Sequence, residues 1–441
     1  MSLNYLLIGC TGCLGKVILY SLLKNTKDIV YIVIREKEGK TIEERIREIM
    51  RVINLDYDTY LNEERIYVIR GEYTKNLELE LDKQDIDIII DKINIFINAL
   101  ADVNFNREIK KSTLNNCKTA IEWLKLYNRC KNVIQYTYVS TAFTGFHKVD
   151  KGFKNIEEEF HVNKTQGHTF DMCERTYTNI LNGVITENEL RNSEFENSYT
   201  YSKNLTELLL AKRIHRGKLF IVRPSIIISA VQEPYPSWGS FQTINLFILG
   251  IVSGMSLFYC MDYNNCVLNT VPVDMVARDC IRVIEDESKE SVKILHSCLT
   301  HNSCEWYKDK EVLYNDLSNY IYLKYSLEPL NYKNKVYYPS VLKIYKNWYE
   351  CYIGMITLLI RSIIVNISRF GIINGIMISK DQFLFTWKYN QLFHTFANKN
   401  CCFKRSMEID SLYLSISYKD VLYKFIDNIP ELLKTENISW L

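Results

Sequence analysis

Residues 3–25 read LNYLLIGCTGCLGKVILYSLLKN: an apolar run, a turn spaced by glycines, and an amphipathic stretch. Tyr5–Ile8 reads as a buried strand. Beyond the turn, Ile18, Leu19, Leu22 and Leu23 return to one face at helical spacing. Each glycine has a separate task. Gly9 permits the tight turn, Gly12 lets backbone amides approach a pyrophosphate, and Gly15 lets helix and strand pack closely. The helix start adds unpaired N–H groups and a partial positive charge. A strand before the glycines and a helix after them give the motif its meaning, so the stretch predicts a dinucleotide-binding turn.

The pattern continues outward. Short β-rich runs recur at Ile29–Ile34, Ile66–Ile69, Ile93–Ile97, Val133–Val139 and Leu219–Val222, most of them separated by charged, helix-like segments. That alternation predicts an α/β fold with a doubly wound parallel sheet. Thr41 and Glu44 form a capping box at the head of one helix. The alternation fades near residue 285. The expected division is a nucleotide-binding domain over 1–285, a connecting region over 286–345 and a smaller, mainly helical domain over 346–441.

Composition narrows the class. The chain has 441 residues, 47% of them hydrophobic and 24% charged, with a net charge of +2. That near-neutral balance argues against a nucleic-acid partner, which usually meets a basic face. The 13 cysteines are scattered and no secretory signal is read at the start. Reduced thiols in a cytosol-facing compartment are therefore expected. Cys10 and Cys13 have redox spacing but fall inside the glycine turn, where packing is the expected role. No metal-ligand spacing is read. Residues 234–261 carry no charge and are read as a lid or acyl-chain pocket rather than a membrane span. Residues 351–378 are read as an amphipathic or interfacial helix, with core packing as the alternative, because Arg361 and Arg369 interrupt their apolar run.

Two further patterns carry chemistry. About 20 residues beyond the glycines an acidic side chain would hold the ribose 2′-hydroxyl of NAD. Here Arg35 stands at that place and Lys37 follows, which favours a 2′-phosphate and hence NADPH. Later, YVSTAF (138–143) supplies Ser140 and Thr141, and NSYTYSKN (197–204) supplies Tyr199 and Lys203. Residues four apart share a helix face. A phenol with a reference pKa of about 10 needs a neighbouring ammonium to exchange protons near neutrality. Tyr199 is therefore the candidate proton donor and Lys203 its electrostatic partner. Thr141, with Ser140, is the candidate donor to a developing oxyanion.

Taken together, GCTGCLGKVILYSLLK, VYIVIREKEG, FINALADVNFN, YVSTAF, NSYTYSKNLTE, VRPSIII, EPYPSW and NTVPVDMV resemble, in order, the alcohol-forming fatty acyl-CoA reductases, the male-sterility-like branch of the extended short-chain dehydrogenases/reductases. The likeness covers residues 4 to about 285 well and the last hundred poorly. It implies an oxidoreductase that takes a long-chain fatty acyl-CoA to the alcohol with two NADPH: the first hydride gives a hemithioacetal that expels coenzyme A, and the second reduces the aldehyde. It implies that Thr11, Leu14, Glu72, Ala99, Asn115 and Pro224 join Gly9, Gly12, Gly15, Arg35, Lys37, Tyr199 and Lys203 around the cofactor. It also implies that Phe143, Glu233, Pro236 and Trp238 line the substrate pocket, and that the C-terminal domain meets a membrane surface, at the endoplasmic reticulum or peroxisome. Glu72, Asn98 and Ser237 depart from the family's aspartate, histidine and glycine. The alternatives are another extended short-chain reductase (sterol-oxidising or aldehyde-forming) and a catalytically silent lipid-binding protein.

Overall fold

The computed structural model describes residues 2–37, 39–73, 79–105, 107–148, 154–191, 195, 197–239, 269–284 and 291–298; beyond them it describes only 370–373, 376–379, 401–403, 405, 407 and 427. The opening stretch forms β1 (Asn4–Ile8) and α1 (Cys13–Asn25). Next come β2 (Ile29–Ile34), α2 (Ile42–Val52), α3 (Tyr57–Asn62), β3 (Ile66–Tyr73), β4 (Leu79–Leu81), α4 (Lys83–Lys92) and β5 (Ile95–Asn98). The chain continues through α5 (Ile109–Thr113), α6 (Thr119–Tyr127), β6 (Gln135–Val139), β7 (Lys154–Ile156), α7 (Cys173–Leu181), α8 (Glu187–Arg191) and α9 (Ser198–Arg213). After α9 lie β8 (Lys218–Pro224), β9 (Ile226–Ile228), β10 (Thr270–Pro272), α10 (Val273–Ile281) and β11 (Val292–Ser297). Three short strands complete the description: β12 (Phe370–Ile373), β13 (Ile376–Ser379) and β14 (Cys401–Phe403).

Eight strands join in the order β11-β8-β6-β5-β1-β2-β3-β4, with only β4 antiparallel to its neighbour. The expected doubly wound sheet is therefore present, and all six β-rich runs fall in it. The strand order reverses between β1 and β5, which leaves a crevice outside their carboxyl ends. Alternate residues of β1 feed two cores: Tyr5 and Leu7 pack towards α1, α2 and α10, while Leu6 and Ile8 pack towards α4, α6 and α9. That alternation is why the strand has no polar face. The capping box of α2 forms as read, with Thr41 Oγ1 accepting from the Glu44 backbone N–H and the Glu44 carboxylate accepting from the Thr41 N–H.

The reading of 351–378 as a helix is corrected at its end. Residues 370–373 and 376–379 pair as antiparallel strands, Ile373 opposite Ile376. Asn374-Gly375 lies between them in sequence, the dipeptide that favours a two-residue hairpin turn, and this signal was there to be read. Residues 240–261 and 351–369 lie outside the described residues. Among the described residues no helix is long and apolar enough to cross a membrane. Part of the C-terminal region is tied to the sheet domain. β14 pairs with β7, and Arg405 makes a buried bidentate ion pair with Asp279 of α10 at 2.7 and 2.8 Å.

Candidate active site

The glycine turn follows β1 as expected. Gly9 has φ +91°, and a Cβ there would lie 2.9 Å from the Ala99 carbonyl carbon. A Cβ on Gly15 would stand 2.1 Å from the Gly9 carbonyl oxygen, so both positions admit only glycine. Gly12 heads α1 without a side-chain cap; Thr11 and Gly12 are exposed and Leu14 is half-buried. Such a cradle fits a pyrophosphate. Cys10 is fully buried, and burial pushes its thiol up to about 12. Packing, not redox chemistry, is its role.

Arg35 and Lys37 are exposed just after β2. Glu36, which intervenes, is drawn towards Arg70 at 3.8 Å. The guanidinium of Arg45, on α2, donates to the Arg35 carbonyl and adds a cation that the sequence reading missed. Glu72 lies near the carboxyl end of β3, opposite Glu80 of β4; its side chain lies outside the described residues.

Two strands from β1, the carboxyl end of β6 presents Ser140 and Thr141. With neighbouring strands about 4.8 Å apart, this places them roughly 10 Å across the crevice. The Ser140 N–H donates to Val222 O at 2.7 Å, whereas its hydroxyl is buried and has no partner among the described residues. An unsatisfied buried hydroxyl at this point fits a ligand group that supplies the missing bond. Thr141 is buried and starts the turn in which its carbonyl accepts from the Thr144 N–H and hydroxyl. Phe143 is buried in the core beside it, and Pro224 ends the next strand, β8.

Tyr199 and Lys203 lie one turn apart on α9, whose N-cap Asn197 accepts from the Thr200 N–H at 2.9 Å. Lys203 is buried. Its Nζ donates to Val139 O at 2.7 Å and sits 4.6 Å from the centre of the Tyr138 ring. Burial pushes its ammonium down to about 7, opposed by Glu207 and Cys117. Tyr199 is half-buried, with its ring edge-on to Phe105 at 5.3 Å. The structure thus brings the glycines, Ser140, Thr141, Tyr199, Lys203 and Pro224 to one edge of the sheet.

Other expected site residues have protein partners of their own. Asn115, expected at the cofactor, donates its amide to Asp102 at 2.6 Å. Asn98 is buried, donating to the Tyr136 hydroxyl at 2.9 Å and accepting from the Leu100 N–H. Its amide thus joins the end of β5 to the core. Glu233 and Trp238 have partners on α1, α2 and α10. Glu233 accepts from Asn25, the last residue of α1, about 20 Å along that helix from the glycine turn. It also pairs with Arg278 at 3.2 Å. The Trp238 indole donates to Val52 O at the end of α2, and Pro236 is exposed. Asp274, buried at the start of α10, holds this loop: its carboxylate accepts from the N–H groups of Val231, Gln232 and Glu233 at 2.9 to 3.2 Å.

A family model described as "Male sterility protein" matches residues 7–280. Fatty acyl-CoA reductase 1 of Rattus norvegicus is 26% identical over 360 residues, covering 78% of this chain and 65% of the relative. The protein of that name from Mus musculus is 30% identical over 284 residues, covering 62% of this chain and 52% of the relative. The chain thus spans between half and two thirds of the length of these curated relatives. In structure it is similar to the terminal R domain of the myxalamid PKS-NRPS pathway, with TM-score 0.60, 16% identity, and coverage of 98% of this chain and 91% of that one. It is also similar to the PhqB reductase domain of Penicillium fellutanum, with TM-score 0.56, 16% identity, and coverage of 98% and 94%. At that identity the likeness establishes fold alone, and the residues set the chemistry. The chain belongs to the male sterility protein family, with an extended short-chain dehydrogenase/reductase fold and a nicotinamide-cofactor-binding domain.

Proposed function

We propose that the protein reduces a long-chain fatty acyl-CoA to the alcohol through the aldehyde, using NADPH. The observation that carries the reading is that Tyr199 sits one turn from buried Lys203, whose Nζ donates to Val139 O next to Ser140 at the carboxyl end of β6. When bound, NADPH supplies the hydride. Tyr199 supplies a proton to the carbonyl oxygen, and a protonated Lys203 one turn away stabilises the phenolate left behind. Ser140 and Thr141 offer hydroxyls to the oxygen as charge develops on it.

The preference for NADPH rests on the cations Arg35, Lys37 and Arg45, with Glu36 lying 3.8 Å from Arg70. The choice of an acyl thioester rests on the fatty acyl-CoA reductase names of the relatives. Membrane contact through the C-terminal region and a cytosol-facing site belong to the same proposal, as the setting in which an insoluble alcohol would be released.

The test is direct. Purified protein is incubated with palmitoyl- or stearoyl-CoA and either nicotinamide cofactor, and products are separated by chromatography. Alcohol formed with NADPH supports the reading; neither aldehyde nor alcohol overturns it. Tyr199→Phe should abolish turnover and leave NADPH binding intact.

A further inference from the structure

The segment from Ala99 to Arg107 crosses the crevice from one functional end to the other. At its start, the backbone of Ala99 and Leu100 lies against Gly9 so closely that a Cβ there would be 2.9 Å away. Near its end, the Phe105 ring meets the Tyr199 ring edge-on at 5.3 Å and 79°. Between these points a single carboxylate gathers the segment. Asp102 accepts from the Arg107 guanidinium at 2.7 and 3.3 Å, from the Asn104 N–H at 3.1 Å and from the Asn115 amide at 2.6 Å. Its own N–H donates to Asn116 at 2.8 Å, and its carbonyl accepts from the same side chain at 3.2 Å.

Two consecutive asparagines can face one residue here because Leu114–Lys118 is a π-helical turn, which widens the helix locally. The network runs on into the catalytic helix. Asn116 donates to Ser202 Oγ at 2.9 Å, and that hydroxyl donates to the carbonyl of Tyr199 at 2.9 Å. From the other side, the Ser198 hydroxyl donates to Arg107 O at 2.6 Å. Both the wall in front of Tyr199 and the backbone that carries it are therefore fastened through Asp102.

We propose that Asp102 is a positioning residue for Tyr199: it clasps the 99–107 segment to the π-turn, so that Phe105 holds the phenol ring against the crevice. The inference rests on the reading of Tyr199 as proton donor, and it assigns Asn115 to the clasp rather than to the cofactor. Asp102 and Phe105 both lie within the FINALADVNFN stretch, but no local spacing gives Asp102 this role, since Asn115 and Asn116 reach it only through the fold.

The experiment places a fluorotyrosine at position 199 and records its fluorine resonance in otherwise unaltered protein and in Asp102→Ala, Asn115→Ala, Phe105→Ala and Phe105→Tyr. NADPH affinity and turnover of a long-chain aldehyde are measured alongside. Asp102→Ala, Asn115→Ala and Phe105→Ala should each displace and broaden the resonance and leave NADPH affinity unchanged. They should lower kcat far more than they raise KM, by roughly 100-fold, the loss expected of a misplacement of about 1 Å. Phe105→Tyr should keep the resonance and the rate. Asp102→Ala and Asn115→Ala should be non-additive, as members of one network are. An unmoved resonance in Asp102→Ala and Phe105→Ala overturns the proposal. So does a resonance unmoved in Asn115→Ala with NADPH affinity lost. If the unaltered protein reduces no aldehyde but the resonance responds as described, the proposed reaction fails and the clasp stands.

Discussion

Lys203 has the most demanding environment of the catalytic pair. A buried ammonium loses its hydration and recovers one hydrogen bond, to Val139 O, and one aromatic face, that of Tyr138. Burial lowers its pKa from 10.5 to about 7. At and below that pH the native protein bears the cost of a buried charge. Between about 7 and 10.5 the unfolded chain retains a proton that the native chain has lost, so stability from this group rises with pH across that window. Lys203→Met should therefore abolish reduction and raise the melting temperature at neutral pH, which calorimetry would read, with a penalty relieved on the order of 4 kcal/mol. Turnover should move the other way. As pH climbs past about 7, Lys203 goes neutral and Tyr199 loses its cationic neighbour, so the alkaline limb of kcat should fall. Arg45→Glu should weaken NADPH more than NADH, by about 10-fold or more if one charge-assisted bond is lost, as a binding titration would show.

At the scale of elements, the loop after β9 is shaped by a helix start. Asp274 is buried, and desolvation raises its pKa while the three backbone N–H groups it accepts from lower it. Asp274→Ala would leave those donors without an acceptor. We expect a loss of at least about 2 kcal/mol in denaturant unfolding, because each buried unsatisfied group costs 1–3 kcal/mol. Nucleotide affinity should hardly change, since this loop grips the far end of α1. Ser237, φ +64°, occupies the left-handed region in the same loop. That is why the family pattern has glycine there, and Ser237→Gly should be neutral to stabilising by the same measurement.

At the scale of the whole molecule, the C-terminal residues are tied to the first domain. Arg405 and Asp279 are both buried, and Asp279 also accepts from the Ser297 hydroxyl at 2.7 Å. Removing one partner of such a pair leaves an uncompensated charge and costs about 3–5 kcal/mol. Arg405→Met should thus strongly destabilise the sheet domain, and Arg405→Met with Asp279→Leu should restore most of the loss. If Arg405→Met melts like the unaltered protein, the tie contributes nothing.

What the sequence determined by itself was everything set by local pattern. The strand–glycine–helix opening, the six strands, the capping box and the four-residue spacing of Tyr199 and Lys203 all follow from steric and periodic rules acting within a few residues. The order of the motifs then identified the family. Tertiary structure alone decided where polar side chains spend their hydrogen bonds. Asn115 turned to Asp102, Asn98 to Tyr136 and Glu233 to Arg278 because each lay near a partner distant in the chain. The burial of Lys203, and the Asp102 clasp, likewise come from segments that meet only when the sheet assembles. Spacing in a sequence records which residues share a face, whereas desolvation and pairing depend on what packs against that face.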